Sequence, residues 1–516
     1  MKPLTPAHKN TVTLTAACLA CLMFGLEISS VPVILPILET VLRSSFRDLQ
    51  WIMNAYTIAC AAVLMAAGAL ADRYGRKRAF LLCLVLFGLT SLACGLADSS
   101  TWLIAGRLLQ GMAGGAMLVC QLAVLSHQFA DSAARAKAFG AWGVVFGIGL
   151  GLGPIIGAGI VALSSWQWVF LVHVPIAVAA FGLAAAGVDE SRDPQHRRLD
   201  WAGIVSLSVA VFGLAWFITQ GPVAGFASLP TLASLLAAAG GFIIFAAAQR
   251  RAVDPLFDFS VFRIRRFSGA LLGSMGMNFS FWPLMIYLPL YFQHGLGYAS
   301  LATGVSLLAY TLPTLILPPL GERLALRYRA EAVIPAGLFV RHRRGCFLMA
   351  WGSGVQQASW LTMLPGCLLA SIGLGVTNTP VTNTTTGSVP TGRAGMASGI
   401  DTSARFISLA LNIAVMGFIL VEGIASFLRR QLPPAIDAAQ LRSLAEQLTT
   451  GTAPTIGQGA LAWTVPAETA RQALAHGFGW VMLYGGVSVW LFALGSLLVF
   501  GVPRAARRTG AGSSVQ

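Results

Sequence analysis

Apolar residues run through this chain in blocks of about 20, the length a helix needs to cross a bilayer, and short polar breaks separate the blocks. The pattern predicts fourteen spanning helices. In the first half they are Thr13 to Ile37, Trp51 to Leu70, Ala79 to Ala97, Trp102 to Leu125, Phe139 to Leu163, Trp168 to Val188 and Trp201 to Gln220. In the second half they are Leu229 to Ala248, Ser268 to Phe292, Leu301 to Leu320, Val333 to Trp351, Leu361 to Pro380, Ala394 to Leu420 and Phe478 to Val502. Two breaks divide the series. Asp189 to Leu199 is polar and follows the sixth block, and Gln249 to Phe267, with Arg250, Arg251, Arg263, Arg265 and Arg266, follows the eighth. The expected fold is an all-α membrane protein with a six-helix bundle over 1–188, an inserted helix pair over 189–267 and a second six-helix bundle over 268–516. A long polar outer loop, 421–476, precedes the last block and has room for short amphipathic helices.

Composition agrees with that reading and charge orients it. Only 10% of residues are charged, against about 25% in a soluble domain. The net charge of +15 invites nucleic-acid binding, but the basic residues follow the loops. Arg43, Arg47, Arg429, Arg430, Arg442 and Arg471 fall on one side of the predicted membrane, and most of the others fall on the opposite side. Basic loops stay in the cytoplasm, so both termini are expected there, in a multi-pass protein of the inner or plasma membrane. The high pI is then a topology signal, and nucleic acid is not an expected partner. The first block is too long for a signal-peptide core and lacks a small-residue cleavage pattern. All eight cysteines lie in apolar blocks, where they act as small hydrophobes and form no disulfide. Cys18 and Cys21 make a C-x-x-C without the companion His or Cys cluster of a metal site.

GALADRYGRKR, from Gly68 to Arg78, carries Gly68, Asp72, Arg73, Gly75 and Arg76 in the frame of the loop motif of the major facilitator superfamily, which it resembles over its whole length. Asp72 there is expected to meet the positive end of a neighbouring helix dipole, while the basic residues anchor to the inner leaflet. PLGERLALRYR, from Pro319 to Arg329, is a degenerate second copy. Three further segments resemble the fourteen-helix drug:proton antiporters of that superfamily: Leu49 to Gly68, LIAGRLLQGMAGGA from Leu103 to Ala116, and GLGLGPIIGAGI from Gly149 to Ile160. The last resembles the antiporter motif through Gly149, Gly153, Pro154 and Gly157, with Ala158 in place of its final Gly. Small residues at that spacing let helices approach closely, and Pro154 can bend the fifth. LEISSVPVILP, from Leu26 to Pro36, resembles the family's first helix, with Glu27 where Asp is usual and Pro32 as a second departure. Arg393 to Val415 resembles its thirteenth helix, with Asp401 where Asn is usual.

A charge at the centre of a spanning helix costs about 2.5 to 3.5 kcal/mol, so buried ionisable groups are functional candidates. At 1.5 Å per residue, Glu27 lies roughly 20 Å from the inner end of the first helix and Arg107 roughly 8 Å from the outer end of the fourth. They reach similar depth and are the expected proton-coupling pair, or else a static pair that fixes packing. Asp401 is the next proton-coupling candidate, sharing a helix face with Arg405. Phe24, Asn54, Tyr56, Gln110, Gln121, Asn278, Trp282, Tyr287 and Tyr310 are expected to line a substrate cavity or to pack. His127 and His173 read as an interfacial and a buried polar residue. Arg341, His342, Arg343 and Arg344 fall inside the eleventh block and fit no expectation.

The resemblance implies alternating access, with a lipophilic or cationic drug-like molecule exported in exchange for protons. No P-loop, catalytic triad or metal cluster stands out, so neither an enzyme nor a cofactor beyond the proton gradient is expected. The expected partners are the lipid bilayer, protons, the substrate and an optional periplasmic adaptor. A dedicated exporter of one metabolite and a transporter-like sensor without flux are the rival readings.

Overall fold

The computed structural model describes residues 5–129, 131–192, 200–251, 259–355, 358–389, 394–433, 436–449, 455–456 and 463–501. The first blocks become α1 (Pro6–Leu42), α2 (Phe46–Tyr74), α3 (Arg76–Gly95), α4 (Ser100–Gln128), α5 (Ser132–Leu163), α6 (Gln167–Leu171) and α7 (His173–Gly187). Then come α8 (Trp201–Ala224), α9 (Leu229–Arg251), α10 (Arg265–Asn278), α11 (Phe281–Leu290), α12 (Ser300–Ile316) and α13 (Pro318–Tyr328). The last are α14 (Ala330–Ala336), α15 (Arg343–Ser353), α16 (Trp360–Gly387), α17 (Ala394–Gln431), α18 (Ala438–Thr449) and α19 (Ala467–Phe500). A two-residue antiparallel pair, Thr455–Ile456 with Trp463–Thr464, accompanies them. Among the described residues ten helices are long and apolar enough to cross a membrane, counting α6–α7 as one, and eleven with the bent pair α12–α13.

The polar residues between blocks start the helices. Ser45 caps α2 in a reciprocal box with Asp48, Ser99 caps α4, Asp131 caps α5 and Asp200 caps α8, each satisfying an orphan N–H of a first turn. Several blocks expected as single helices are interrupted. The sixth breaks at Val172 between α6 and α7, and the ninth between α10 and α11. The tenth bends by 45° where Pro318 and Pro319 stop the ladder. The eleventh passes through π-helical turns from Gly337 to His342, and the side chains of Arg341, His342 and Arg343 lie outside the described residues. Arg344 is exposed on the first turn of α15. The long polar loop is shorter than its composition suggests, because buried Val421, Ile424, Ala425 and Leu428 carry α17 on to Gln431. The amphipathic α18 buries Leu441, Leu444, Ala445 and Leu448.

Close helix pairs meet at small residues. A Cβ on Gly111 of α4 would come within 2.8 Å of Tyr56 Cα on α2, and one on Gly241 of α9 within 2.7 Å of the Ser206 carbonyl on α8. At the end where α1 turns into α2, polar contacts join these two helices to α11, α17 and the turn that follows α11. Gln50 Nε2 donates to Tyr287 Oη and to the Ile413 carbonyl, both at 3.3 Å, and Gln293 Nε2 donates to the Val33 carbonyl at 3.1 Å. His294 Nε2 lies 3.4 Å from the buried Glu39 carboxylate.

Candidate functional site

Glu27 sits on the middle of α1, and the small residues of α5 set how near that helix lies. Ser29 Oγ donates at 2.9 Å to the Gly149 carbonyl or the Gly25 carbonyl, and a Cβ on Gly153 would overlap Ser29 Oγ. A Cβ on Gly157 would fall 2.7 Å from Ser30 Cβ. The same stretch of α5 also meets α12: Thr311 Oγ1 donates to the Gly151 carbonyl at 2.5 Å, and the Pro154 carbonyl lies 3.0 Å from where a Cβ on Gly304 would be. The segment resembling the antiporter motif is therefore a two-sided contact, with α1 on one side and α12 on the other.

Within that frame Glu27 Oε1 accepts from Arg107 Nη1 of α4 in an ion pair with both side chains fully buried. Arg107 is held on other sides as well. Its Nε donates to the Ile52 carbonyl of α2 at 3.1 Å, and Nη1 donates to Gln110 Oε1 at 2.8 Å. Gln110 Nε2 in turn donates to Ser91 Oγ at 2.9 Å. The guanidinium carbon stands 4.2 Å from the Tyr56 ring centre and 5.9 Å from that of Phe170. Pairing neutralises two charges that would each be costly in hydrocarbon, yet it is incomplete. Glu27 Oε2 and Arg107 Nη2 are buried without a hydrogen bond. His173 Nδ1 lies 3.4 Å from that Oε2, a neighbour that a lone buried histidine in the sequence does not announce.

The other expected residues divide. Phe24 lies among aromatic rings from three helices, 6.3 Å from Tyr56, 6.2 Å from Phe146 and 6.2 Å from Phe406. Asn54, Gln121 and the Tyr56 hydroxyl are buried without hydrogen-bond partners, which marks them as groups that a polar ligand or water could satisfy. Asn278 and Tyr310 are satisfied locally: the amide donates to the Ser274 carbonyl at 2.9 Å, and the hydroxyl donates to the Phe281 carbonyl at 3.0 Å while its ring stacks on Phe281. Trp282 is half-buried against Phe281, and Tyr287 donates to the Ile413 carbonyl. Asp401 is not brought to Glu27. Its Oδ2 accepts from Arg405 Nε at 3.0 Å, and Arg405 donates onward to Asn378 Oδ1 at 2.7 Å and Thr382 Oγ1 at 3.1 Å.

At the other end of the first bundle, Gly75 joins α2 to α3 at φ +116°. Its missing side chain leaves room for Glu190, whose Oε1 accepts from the Lys77 N–H at 3.2 Å at the start of α3. The Arg76 N–H donates to the Ser191 carbonyl at 2.9 Å, and Lys77 Nζ donates to the Ala185 carbonyl at 2.7 Å. The Gly68-to-Arg78 loop is thus tied to the end of α7, through a glutamate read in the sequence only as part of a polar joint. A Cβ on Gly68 would stand 3.3 Å from Val119 of α4, Arg73 lies over the Tyr74 ring, and the Asp72 side chain lies outside the described residues.

The sequence pattern of the Major Facilitator Superfamily matches residues 16–413. The multidrug resistance protein Stp of Mycobacterium tuberculosis is 32% identical over 84% of this chain and 80% of its own length. The tetracenomycin C resistance and export protein of Streptomyces glaucescens is 30% identical over 80% of this chain and 76% of its own. The multidrug efflux pump LfrA of Mycolicibacterium smegmatis is 25% identical over 91% and 92%. Among solved structures, a bacterial homologue of the lysosomal transporter Spinster superposes with TM-score 0.59 at 15% identity, covering 95% of this chain and 97% of that one. The human organic anion transporter MFSD10 gives 0.53 at 17% identity, covering 93% and 99%. These two likenesses speak for the fold alone. With more than three-quarters of its length inside the superfamily pattern and two drug-resistance relatives near one-third identity, this multi-pass membrane protein belongs to the drug-efflux transporters of the major facilitator superfamily.

Proposed function

We propose that this protein is a proton-coupled antiporter that exports lipophilic or cationic small molecules by alternating access between two bundles. The observation that carries the reading is the buried Glu27–Arg107 pair with one carboxylate oxygen left over. An ionised carboxylate in apolar surroundings needs its cation, and when helix motion separates the two a proton must take the cation's place. Release of that proton restores the pair, so charge state and conformation are linked. The aromatic group around Phe24 and the unpartnered polar atoms of Asn54, Tyr56 and Gln121 offer a lipophilic substrate one surface and a polar one another.

The reading includes fourteen spans, with α2, α10–α11 and α14–α15 crossing in addition to the apolar helices named above. Residues 1–188 and 268–516 form the two bundles and 189–267 the inserted pair. Both termini lie in the cytoplasm of a cell whose inner or plasma membrane holds the protein, with the Gln50–Tyr287 contacts at the outer face. Asp72 acts as a conformational lock at the inner face. The relatives' names support multidrug efflux, while the tetracenomycin exporter favours a second reading, a pump for one compound.

The test is drug-induced proton release in membrane vesicles at matched expression. Glu27→Gln is expected to abolish it with insertion intact, and Glu27→Asp to retain substantial activity. Wild-type release from the Gln variant would move the coupling site elsewhere. A drug-susceptibility panel in an efflux-deficient host separates a multidrug pump from a single-compound exporter.

A further inference from the structure

His173 opens α7 and is fully buried. Its Nδ1 has two oxygens beside it, the Phe170 carbonyl at 3.2 Å and Glu27 Oε2 at 3.4 Å. Both are acceptors, so the ring proton belongs on Nδ1, since a bare nitrogen there would set its lone pair against a carbonyl and a carboxylate. That leaves Nε2 as the basic atom. It is buried with no hydrogen-bond partner, and the ring meets Phe87 edge-on at 5.7 Å. Water would have solvated this lone pair; here no donor among the described residues meets it.

We infer that His173 is a second proton-carrying residue of the coupling centre, taking a proton at Nε2 and passing one from Nδ1 to Glu27 Oε2. The inference rests on the reading of Glu27 as the coupling carboxylate. With the ring neutral, carboxylate, guanidinium and imidazole sum to zero, which suits a closed apolar site. A proton arriving at Nε2 makes an imidazolium, and the Nδ1–H···Oε2 contact, already charge-assisted by the ionised carboxylate, becomes one between opposite charges. Arg107 and His173 then compete for one carboxylate. In the transfer, the Nε2–H bond forms, the Nδ1–H bond breaks and an Oε2–H bond forms, so the ring ends neutral in its other tautomer and accepts from the Glu27 hydroxyl. Arg107, released, keeps the Ile52 carbonyl, Gln110 and the face of Tyr56.

The groups able to modulate this step are few. Glu27 comes from α1, Tyr56 and Cys60 from α2, Cys83 and Cys94 from α3, and Arg107 from α4, while α6 and the rest of α7 carry no titratable side chain. The basic residues of α3 and α5, Arg76, Lys77, Arg78, Arg135 and Lys137, sit at the opposite helix ends.

His173→Gln separates relay from scaffold, because an amide can donate to Phe170 and Glu27 but cannot take up the proton. In vesicles of the full-length protein, drug-driven proton release is expected to slow at least about 100-fold, the lower end of what a positioned acid–base group contributes, and the pH profile of export to flatten. Release and profile equal to wild type would reduce His173 to a packing residue. Run beside Glu27→Gln, the outcomes separate. Release lost in Glu27→Gln but unchanged in His173→Gln overturns the relay alone, and release unchanged in both overturns the Glu27 reading too. If His173→Gln does not fold, 15N spectra of labelled wild type decide. An Nδ1–H tautomer that takes up a proton at Nε2 upholds the relay, and a fixed Nε2–H tautomer or a ring that stays neutral throughout overturns it.

Discussion

The Arg107 guanidinium carbon lies over Tyr56, 4.2 Å from the ring centre, while the Tyr56 hydroxyl itself has no hydrogen-bond partner. The ring and the hydroxyl therefore have separable roles. A desolvated cation–π contact is worth about 2 kcal/mol. Tyr56→Phe keeps that contact and is expected to hold proton-driven efflux within about threefold of wild type for substrates that do not use the hydroxyl. Tyr56→Leu removes the ring and is expected to lose at least tenfold, the rate equivalent of 1.4 kcal/mol. Dye efflux at matched expression measures both, and equal activity of the two variants would show that the ring does not seat Arg107.

Asp401 and Arg405 are expected to differ as targets although they form one pair. Asp401 is almost wholly buried and Arg405 partly reaches solvent, with Asn378 and Thr382 as further partners. Removing a partner from a buried charge costs about 3 to 5 kcal/mol, and the loss is smaller where the survivor stays hydrated or bonded. Arg405→Leu, which strands Asp401, should lower the yield of folded protein more than Asp401→Asn, which leaves Arg405 two acceptors. Size-exclusion profiles of solubilised membranes report the ranking. The opposite order would mean that Asp401 draws its stabilisation from elsewhere.

Ten spans among the described residues, eleven with the bent pair, are legible because bilayer hydrocarbon demands unbroken apolar runs, and the depth argument that paired Glu27 with Arg107 needs only helix rise. The interruptions were not equally legible. Pro318 and Pro319 announce the bend after α12, and Pro283, four residues past Phe279, and Pro335, two before Gly337, mark the other two interruptions only as places where the ladder is weak; tertiary packing decides that one becomes a break and the other π-helical turns. His173 and Glu190 were missed for a related reason. A single histidine in an apolar run and a glutamate in a polar joint acquire meaning only from the helix that arrives beside them, α1 in one case and the start of α3 in the other. Gln110, expected in a substrate cavity, is engaged by Arg107 and Ser91, and Asn278 and Tyr310 bond to their own neighbourhood. Residue type gave polarity at depth but not the partner.

Gly75 carries two separate constraints. Its φ of +116° is a backbone region that side chains disfavour, by about 1 to 3 kcal/mol, and a Cβ would stand 2.7 Å from Glu190 Cδ. Gly75→Ala is expected to lower the melting temperature of the purified protein and to impair transport. Adding Glu190→Ala removes the overlap and leaves the backbone strain, so the double variant should recover only part of the loss. Full recovery would assign the whole effect to crowding by the carboxylate.

Gly153 and Ser29 set the spacing of α1 against α5, two residues from the proposed coupling carboxylate, Glu27. A Cβ on Gly153 would overlap Ser29 Oγ and lie 2.9 Å from Ser29 Cβ, so the helices must move apart or rotate to admit it. Either movement shifts Glu27 against Arg107, and catalysis-like coupling tolerates such displacement far less than folding does, about 100-fold for 1 Å in well-studied active sites. Gly153→Ala is therefore expected to lower drug-driven proton release at least tenfold with nearly normal yield. Ser29→Gly deletes both clashing atoms. In the double variant release should return to within about threefold of Ser29→Gly alone, a coupling inside the 0.5 to 3 kcal/mol seen for residues in contact. Gly153→Leu, with three more carbons to place between two closely packed helices, should stay inactive in either background. If Ser29→Gly fails to rescue Gly153→Ala, the glycine is needed for a contact other than the one with Ser29, and the Gly304 and Thr311 side of α5, where the second bundle leans on the same segment, is where to look.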